Sequence, residues 1–231
     1  MKLVVFDLDG TLTRTNDVDG ECFVRAFMET LQLAEVNQDW NSYEQVSDEG
    51  VTRQIFAERF GRHPAPDETS RIIDRFLDLL DASHGADASA FEEVPGAVRL
   101  LRQIRQDPDW AIALATGAWR RSAEFKIQRA ALPVTDLPSA FAEDGPAREA
   151  IVHTAIERAR KQYRQEKFER ITSVGDALWD VKTARNLGLS FLGVASGARA
   201  LVLRDNGASH VIEDYRDPDR CLQYLNEAQA P

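Results

Sequence analysis

Cysteine is almost missing: Cys22 and Cys221 are the only two in 231 residues, far apart and with no second pair nearby. That excludes a disulfide framework and a thiolate zinc site, both of which need more thiols at closer spacing, and leaves packing as the role of each. The four histidines, His63, His84, His153 and His210, are scattered without the spacing of a triad or a metal site, and no GxSxG or GxGxxG pattern occurs. No run approaches the length of about 18 apolar residues that a membrane span requires. Residues 1–30 also lack the charged start and apolar middle of a signal peptide, so a cytoplasmic location is expected. Positive charge is short as well. Lys plus Arg number 28 against 38 Asp plus Glu, a net of −10. A nucleic acid or an anionic membrane needs a basic surface, so neither is an expected partner. The deficit is concentrated in residues 15–84, where fifteen acidic residues face six arginines and no lysine; the net of −9 there leaves −1 for everything else. The chain is thus two electrostatically different objects.

What is present is a core-forming composition, 43% hydrophobic, on a chain long enough for one large domain or a core with a smaller insert. It opens on Leu3-Val4-Val5-Phe6, an apolar, β-branched run with the character of a buried parallel strand. Asp7-Leu8-Asp9-Gly10-Thr11 follows at once. Side chains at i and i+2 of an extended segment share one face, which directs the carboxylates of Asp7 and Asp9 into one small space. Two anions that close repel unless a cation or a shared proton offsets them. A calcium loop is excluded, because neither Asp7 nor Thr15 begins its alternation of oxygen ligands.

Three helical patterns come next. Phe23, Ala26, Phe27 and Leu31 repeat at helical spacing, as do Val51, Ile55, Phe56 and Phe60. Asp67 reads as the N-cap of a third helix with the stripe Ile72, Ile73, Phe76, Leu77 and Leu80, ending before a small, polar, linker-like stretch at Ser83-His84-Gly85-Ala86-Asp87. From Pro95 the pattern changes to alternating helices and strands. Strands are expected at 111–115, 139–141, 171–174, 191–194 and 210–212, with helices starting at Pro95, near 119 and at Gly145-Pro146. The expected fold class is α/β, a doubly wound parallel sheet of Rossmann-like type (residues 1–14 and 86–231) with an inserted α-helical cap (residues 15–85). In such sheets ligands sit at the carboxyl ends of strands where the strand order switches. Asp7 and Asp9, Thr116-Gly117 and Gly175-Asp176 all lie at such ends.

Asp7-Leu8-Asp9-Gly10-Thr11 after an apolar strand resembles the first motif, DxDGT, of the haloacid dehalogenase superfamily of phosphohydrolases. Ala113-Leu114-Ala115-Thr116-Gly117 is similar to the second motif, a strand ending in Thr or Ser, whose hydroxyl and neighbouring N–H groups can hold a phosphoryl oxygen. Gly175-Asp176-Ala177-Leu178-Trp179-Asp180 is similar to the acidic GDxxxD motif, with Ala177 and Trp179 where relatives often carry small polar residues or Asn. The third motif is a Lys or Arg at a helix start. Lys126 lies inside the preceding helix and Lys161 in a solvated charge run, so Arg148 is the candidate. The resemblance implies a Mg²⁺-dependent phosphatase acting on a small phosphorylated metabolite through an aspartyl-phosphate. Asp7 would be the nucleophile, Asp9 the acid and base, and Thr116 and Arg148 the balance for the phosphoryl oxygens. Gly10, Gly117 and the cap residue Arg53 would join them in binding substrate. Asp7, the backbone carbonyl of Asp9, Asp176 and Asp180 would hold the metal. Asn16, Asp17 and the Gly85 region would form the cap hinges. A phosphomutase of the same fold and a non-catalytic binding protein on the same scaffold are the alternatives.

Overall fold

The computed structural model describes all 231 residues and places six parallel strands at the centre. They are β1 (Lys2–Phe6), β2 (Trp110–Ala115), β3 (Ser139–Ala140), β4 (Ile171–Gly175), β5 (Ser190–Val194) and β6 (His210–Ile212), in the spatial order β3-β2-β1-β4-β5-β6. The order reverses at β1, the first strand and the central one. β1 explains its own position: Leu3, Val4, Val5 and Phe6 are all buried, which only a strand covered on both faces allows. Their side chains alternate between two cores. Val4 and Phe6 join Ile112, Leu114 and Val174 under the helices α4 (Ala97–Gln106), α5 (Arg120–Arg129) and α9 (Pro218–Glu227). Leu3 and Val5 join Ala111 and Ala113 under α6 (Arg148–Tyr163), α7 (Leu178–Leu187) and α8 (Gly197–Asp205). The period of two thus continues past the strand end and turns Asp7 toward the α6 side, where Arg148 begins its helix.

A third core belongs to the helices α1 (Asn16–Leu31), α2 (Asp48–Phe60) and α3 (Pro66–Ala86). Phe23, Phe27, Phe56 and Phe76 fill it, and Trp119 from the sheet domain stacks on Phe23 with ring centroids 5.6 Å apart. The N-terminus of α2 is seated on the sheet domain by three hydrogen bonds. Asp48 N donates to Gly117 O (2.7 Å), Trp119 N donates to Asp48 Oδ2 (2.7 Å), and Ser47 Oγ donates to Pro146 O (2.6 Å). No helix is long and apolar enough to cross a membrane.

Several boundaries differ from expectation. α3 is capped at Ala65 rather than Asp67, because Pro66 fits the first helical position and the Glu68 carboxylate accepts from Ala65 N at 2.9 Å. It then runs through Ser83, Gly85 and Ala86 instead of breaking there, so the linker-like stretch is helical and Asp87 ends it. Asn16 and Asp17, expected at a cap hinge, form the first turn of α1. Helix α4 starts at Ala97, two residues after Pro95, behind the positive-φ Gly96.

Candidate active site

The sheet register converges the motifs. Phe6 pairs with Leu114 on one side and Val174 on the other, so the chain leaves β1, β2 and β4 at one level. Asp7 N donates back to Val174 O at 3.0 Å. The loop after β1 folds tightly on itself, with Leu12 N and Thr13 N both donating to Leu8 O (2.8 and 3.0 Å) and Thr11 Oγ1 lying 3.5 Å from Asp7 Oδ2.

Arg148, the first residue of α6, reaches into this space. Its Nη2 donates to Asp180 Oδ1 at 2.6 Å and lies 3.4 Å from Asp7 Oδ1. Asp176 sits in the loop ahead of α7, where Asn16 Nδ2 from α1 donates to its Oδ2 at 2.9 Å. Asp180 is at the third position of α7, and its Oδ2 also accepts from Ala177 N at 3.1 Å. The close approach of these groups explains three glycines. A Cβ on Gly10 would lie 2.3 Å from Asp176 Oδ2, one on Gly117 2.4 Å from Arg148 Nη1, and one on Gly175 2.5 Å from Asp180 Oδ2. Gly10 also has φ +75°, a left-handed conformation that glycine adopts without strain.

A cavity of about 100 Å³ opens above these residues. Asp7, Asp9, Thr116, Gly117, Arg148 and Asp176 line its floor, and Asp19, Phe23, Trp40, Asp48 and Val51 from the helical layer line its roof. Thr116 is buried and its Oγ1 accepts from Ala118 N at 3.1 Å, in a turn whose residues 116–118 line the cavity. Gly10 does not line the cavity; it leaves room for Asp176. Arg53 does not reach it either. Its Nε donates to Glu49 one turn back at 2.7 Å, and the side chain is 48% exposed on the outer face of α2, while Val51 of the same helix points inward.

The charges at the floor are poorly balanced without a further cation. Oxygens of Asp7, Asp176 and Asp180, all buried, lie within 4.8 Å of one another. Burial, with the nearby Asp180 and Asp9 carboxylates, outweighs the pull of Arg148 and pushes Asp7 up to about 8. Burial and the charges of Asp180 and Asp7 raise Asp176 in the same way. A divalent cation removes that conflict, and an all-oxygen donor set suits a hard ion. Asp7 and Asp176 line the cavity and would face such an ion, whereas Asp180 has one oxygen on Arg148 and the other on Ala177 N.

The family model for haloacid dehalogenase-like hydrolases matches residues 1–188. The chain belongs to this family. No curated protein matches it. Among solved structures, this haloacid dehalogenase-like hydrolase is similar to a hydrolase from Pseudomonas syringae, with 17% identity, 98% of this chain and 99% of that one covered, and a TM-score of 0.71. It also resembles a β-phosphoglucomutase candidate from Bacteroides vulgatus (15% identity, 100% and 91% covered, TM-score 0.69). A third neighbour is a phosphoglycolate phosphatase candidate from Haemophilus somnus (15% identity, 96% and 98% covered, TM-score 0.63). At such identities the likeness establishes the fold, a Rossmann-like sheet of this hydrolase family.

Four site residues have no place in the motifs. Lys126 of α5 is completely buried beside Asp9, and Asp19, Asp48 and Trp40 reach the cavity from the helical layer. Lys126 carries a signal in the sequence: it stands beside Ile127 and one turn after Ser122 and Ala123 on the buried face of α5, where an unpaired ammonium would be costly. The other three depend on how α1 and α2 are seated, which no local pattern encodes.

Proposed function

We propose that this hydrolase is a Mg²⁺-dependent phosphatase of small phosphorylated metabolites. The observation that carries the reading is the position of Asp7 on the cavity floor, between Arg148 and Asp176, with a second carboxylate, Asp9, on the same wall. An Asp7 carboxylate oxygen attacks phosphorus. The bond to the alcohol oxygen breaks with its electron pair leaving on that oxygen, which takes a proton from Asp9. Water then attacks the phosphoaspartate, gives a proton to Asp9, and returns the electron pair to Asp7, so the sum is ester plus water to alcohol plus phosphate. Arg148 and the Thr116 turn balance the phosphoryl oxygens throughout. Asp7, the Asp9 carbonyl and Asp176, with Asp180 behind them on Arg148, would hold the metal, which would supply charge neutralisation between carboxylate and phosphate. Small substrates suit the cavity of about 100 Å³.

The lining also favours hydrolysis over phosphoryl transfer to a second phosphorylated sugar. Arg148 is the only cation among the lining residues, and the roof presents Asp19 and Asp48 instead. A second phosphate there meets no free cation, since Lys126 is already taken up by Asp9 and Asp19, and Asp48 accepts from Trp119 N. Turnover assays of the purified protein against a panel of phosphomonoesters and sugar bisphosphates, with Mg²⁺ and with excess chelator, test the reading. Release of inorganic phosphate from monoesters in Mg²⁺ alone is expected. Phosphate release unaffected by the chelator, or net isomerisation of a sugar phosphate primed by its bisphosphate, overturns it.

A further inference from the structure

Lys126 is the most deeply buried charge in the protein that the reaction above leaves unused. Its side chain is 0% exposed, with Nζ 2.6 Å from Asp9 Oδ2 and 2.5 Å from Asp19 Oδ1. Burial opposes the ammonium, but the carboxylates of Asp19, Asp9 and Asp48 outweigh it, so the lysine stays charged. The other oxygen of Asp9, Oδ1, accepts from Thr15 Oγ1 at 2.5 Å, and Thr15 Oγ1 in turn meets Thr13 Oγ1 at 2.5 Å. Both oxygens of Asp9 are therefore held, one from the sheet domain by α5 and the other from the residue that precedes α1. The Asp9 carboxylate is outside the cluster formed by Asp7, Asp176 and Asp180. It lines the cavity and is linked through Lys126 to Asp19 of the roof instead.

We propose that Lys126 is a positioning residue for the proposed phosphatase reaction. It fixes the Asp9 carboxylate beside the leaving-group oxygen, and through Asp19 it makes that placement depend on the seating of α1. The inference rests on the phosphatase reading but adds a group that touches neither substrate nor metal. Three consequences distinguish it from an ion pair that merely holds the fold. Proton delivery matters most for a poor leaving group, so loss of Lys126 acts unequally on alkyl and aryl esters. The effect operates through Asp9, so it vanishes when Asp9 cannot carry the proton. Asp19 shares the role in weaker form, because its removal leaves the Lys126–Asp9 contact in place.

The experiment measures kcat/KM, which covers the steps through departure of the alcohol, for ethyl phosphate and 4-nitrophenyl phosphate in Mg²⁺. For Lys126→Met the loss on ethyl phosphate is expected to reach about a hundredfold, the low end of general acid–base contributions, and to exceed the loss on 4-nitrophenyl phosphate by about tenfold or more. Asp19→Asn leaves no unpaired lysine and is expected to give the same inequality at smaller size, so it carries the test if Lys126→Met does not fold. Adding Lys126→Met to Asp9→Asn is expected to change neither rate further. Equal losses on the two esters, no loss on either, or additive losses in the double variant overturn the role. Wild-type protein that hydrolyses neither ester removes the phosphatase reading itself, an outcome separate from any of these.

Discussion

At the scale of single residues, the site depends on charges that burial makes expensive and neighbours make tolerable. Asp7 is the clearest instance, pushed up to about 8 by burial and by Asp180 and Asp9 despite Arg148. Replacing it with asparagine keeps the shape and removes a carboxyl that burial and its neighbours make costly to ionise. Asp7→Asn is therefore expected to unfold no earlier than wild type in a thermal melt without metal, while losing turnover. Removal of a covalent nucleophile costs on the order of 10⁶ in rate elsewhere, so activity above about a hundredth of wild type counts against the assignment. Arg53 illustrates the opposite case. Its partner Glu49 is one turn away on an exposed helix face, and such pairs contribute about 0–1 kcal/mol. Arg53→Ala is expected to change kcat/KM by less than about twofold on every substrate, large or small; a selective loss on larger substrates would return it to the site.

At the scale of elements, the sheet was readable and the seating of the helices on it was not. Leu3 to Phe6, Ala111 to Ala115 and Ile171 to Val174 announce themselves because a strand buried on both faces must be apolar throughout, and the polar residues that follow them mark the ligand edge. The third helix misled at both ends. A polar stretch containing Gly85 reads as a break, yet α1 packs along α3 to its last turns, with Cys22 meeting Ser83 at 3.4 Å, and tertiary packing outweighs the propensity of one glycine. Helices α8 and α9 have no counterpart among the expected elements, although each buries apolar residues, Ala200 and Leu203 in α8 and Cys221 and Leu225 in α9. Asp19 and Asp48 were invisible for a different reason. Each is an ordinary first-turn acid of its helix, and only the docking of α1 and α2 aims it at the cavity. Ser47 makes that docking measurable. Its Oγ caps α2 by accepting from Gly50 N at 3.1 Å and donates to Pro146 O at 2.6 Å across to the sheet domain. Ser47→Ala removes both, so a loss of about 1 kcal/mol or more in urea-induced unfolding is expected, larger than the helix-cap effect alone. Unchanged stability would mean that the contact is dispensable to the docked arrangement.

For the molecule as a whole, the acidic floor couples folding to pH and, on the proposed reading, to metal. In the unfolded chain Asp7 ionises near its ordinary value of 3.8, whereas in the fold it keeps its proton up to about 8. Between those values the folded state binds more protons than the unfolded one, so the stability contributed by this group is present at low pH and is lost as pH rises through the window. The slope reaches about 1.4 kcal/mol per pH unit for each such group. Asp176, raised by burial and by Asp180 and Asp7, acts in the same direction, and Asp19, pushed up to about 6, adds to the lower half of the window. A divalent cation binds the ionised carboxylates and so displaces protons, which makes its stabilisation grow with pH over the same range. Metal-free protein is therefore expected to show a melting temperature that falls from pH 5 to pH 8. In saturating Mg²⁺ that fall should be smaller, so that the two curves separate as pH increases, and Asp7→Asn should flatten the metal-free curve. Thermal melts across this range, in chelator and in Mg²⁺, make the comparison. A metal-free melting temperature that stays level or rises toward pH 8 would show that the floor carboxylates are ionised without a cation, and that the charge balance rests on Arg148 alone.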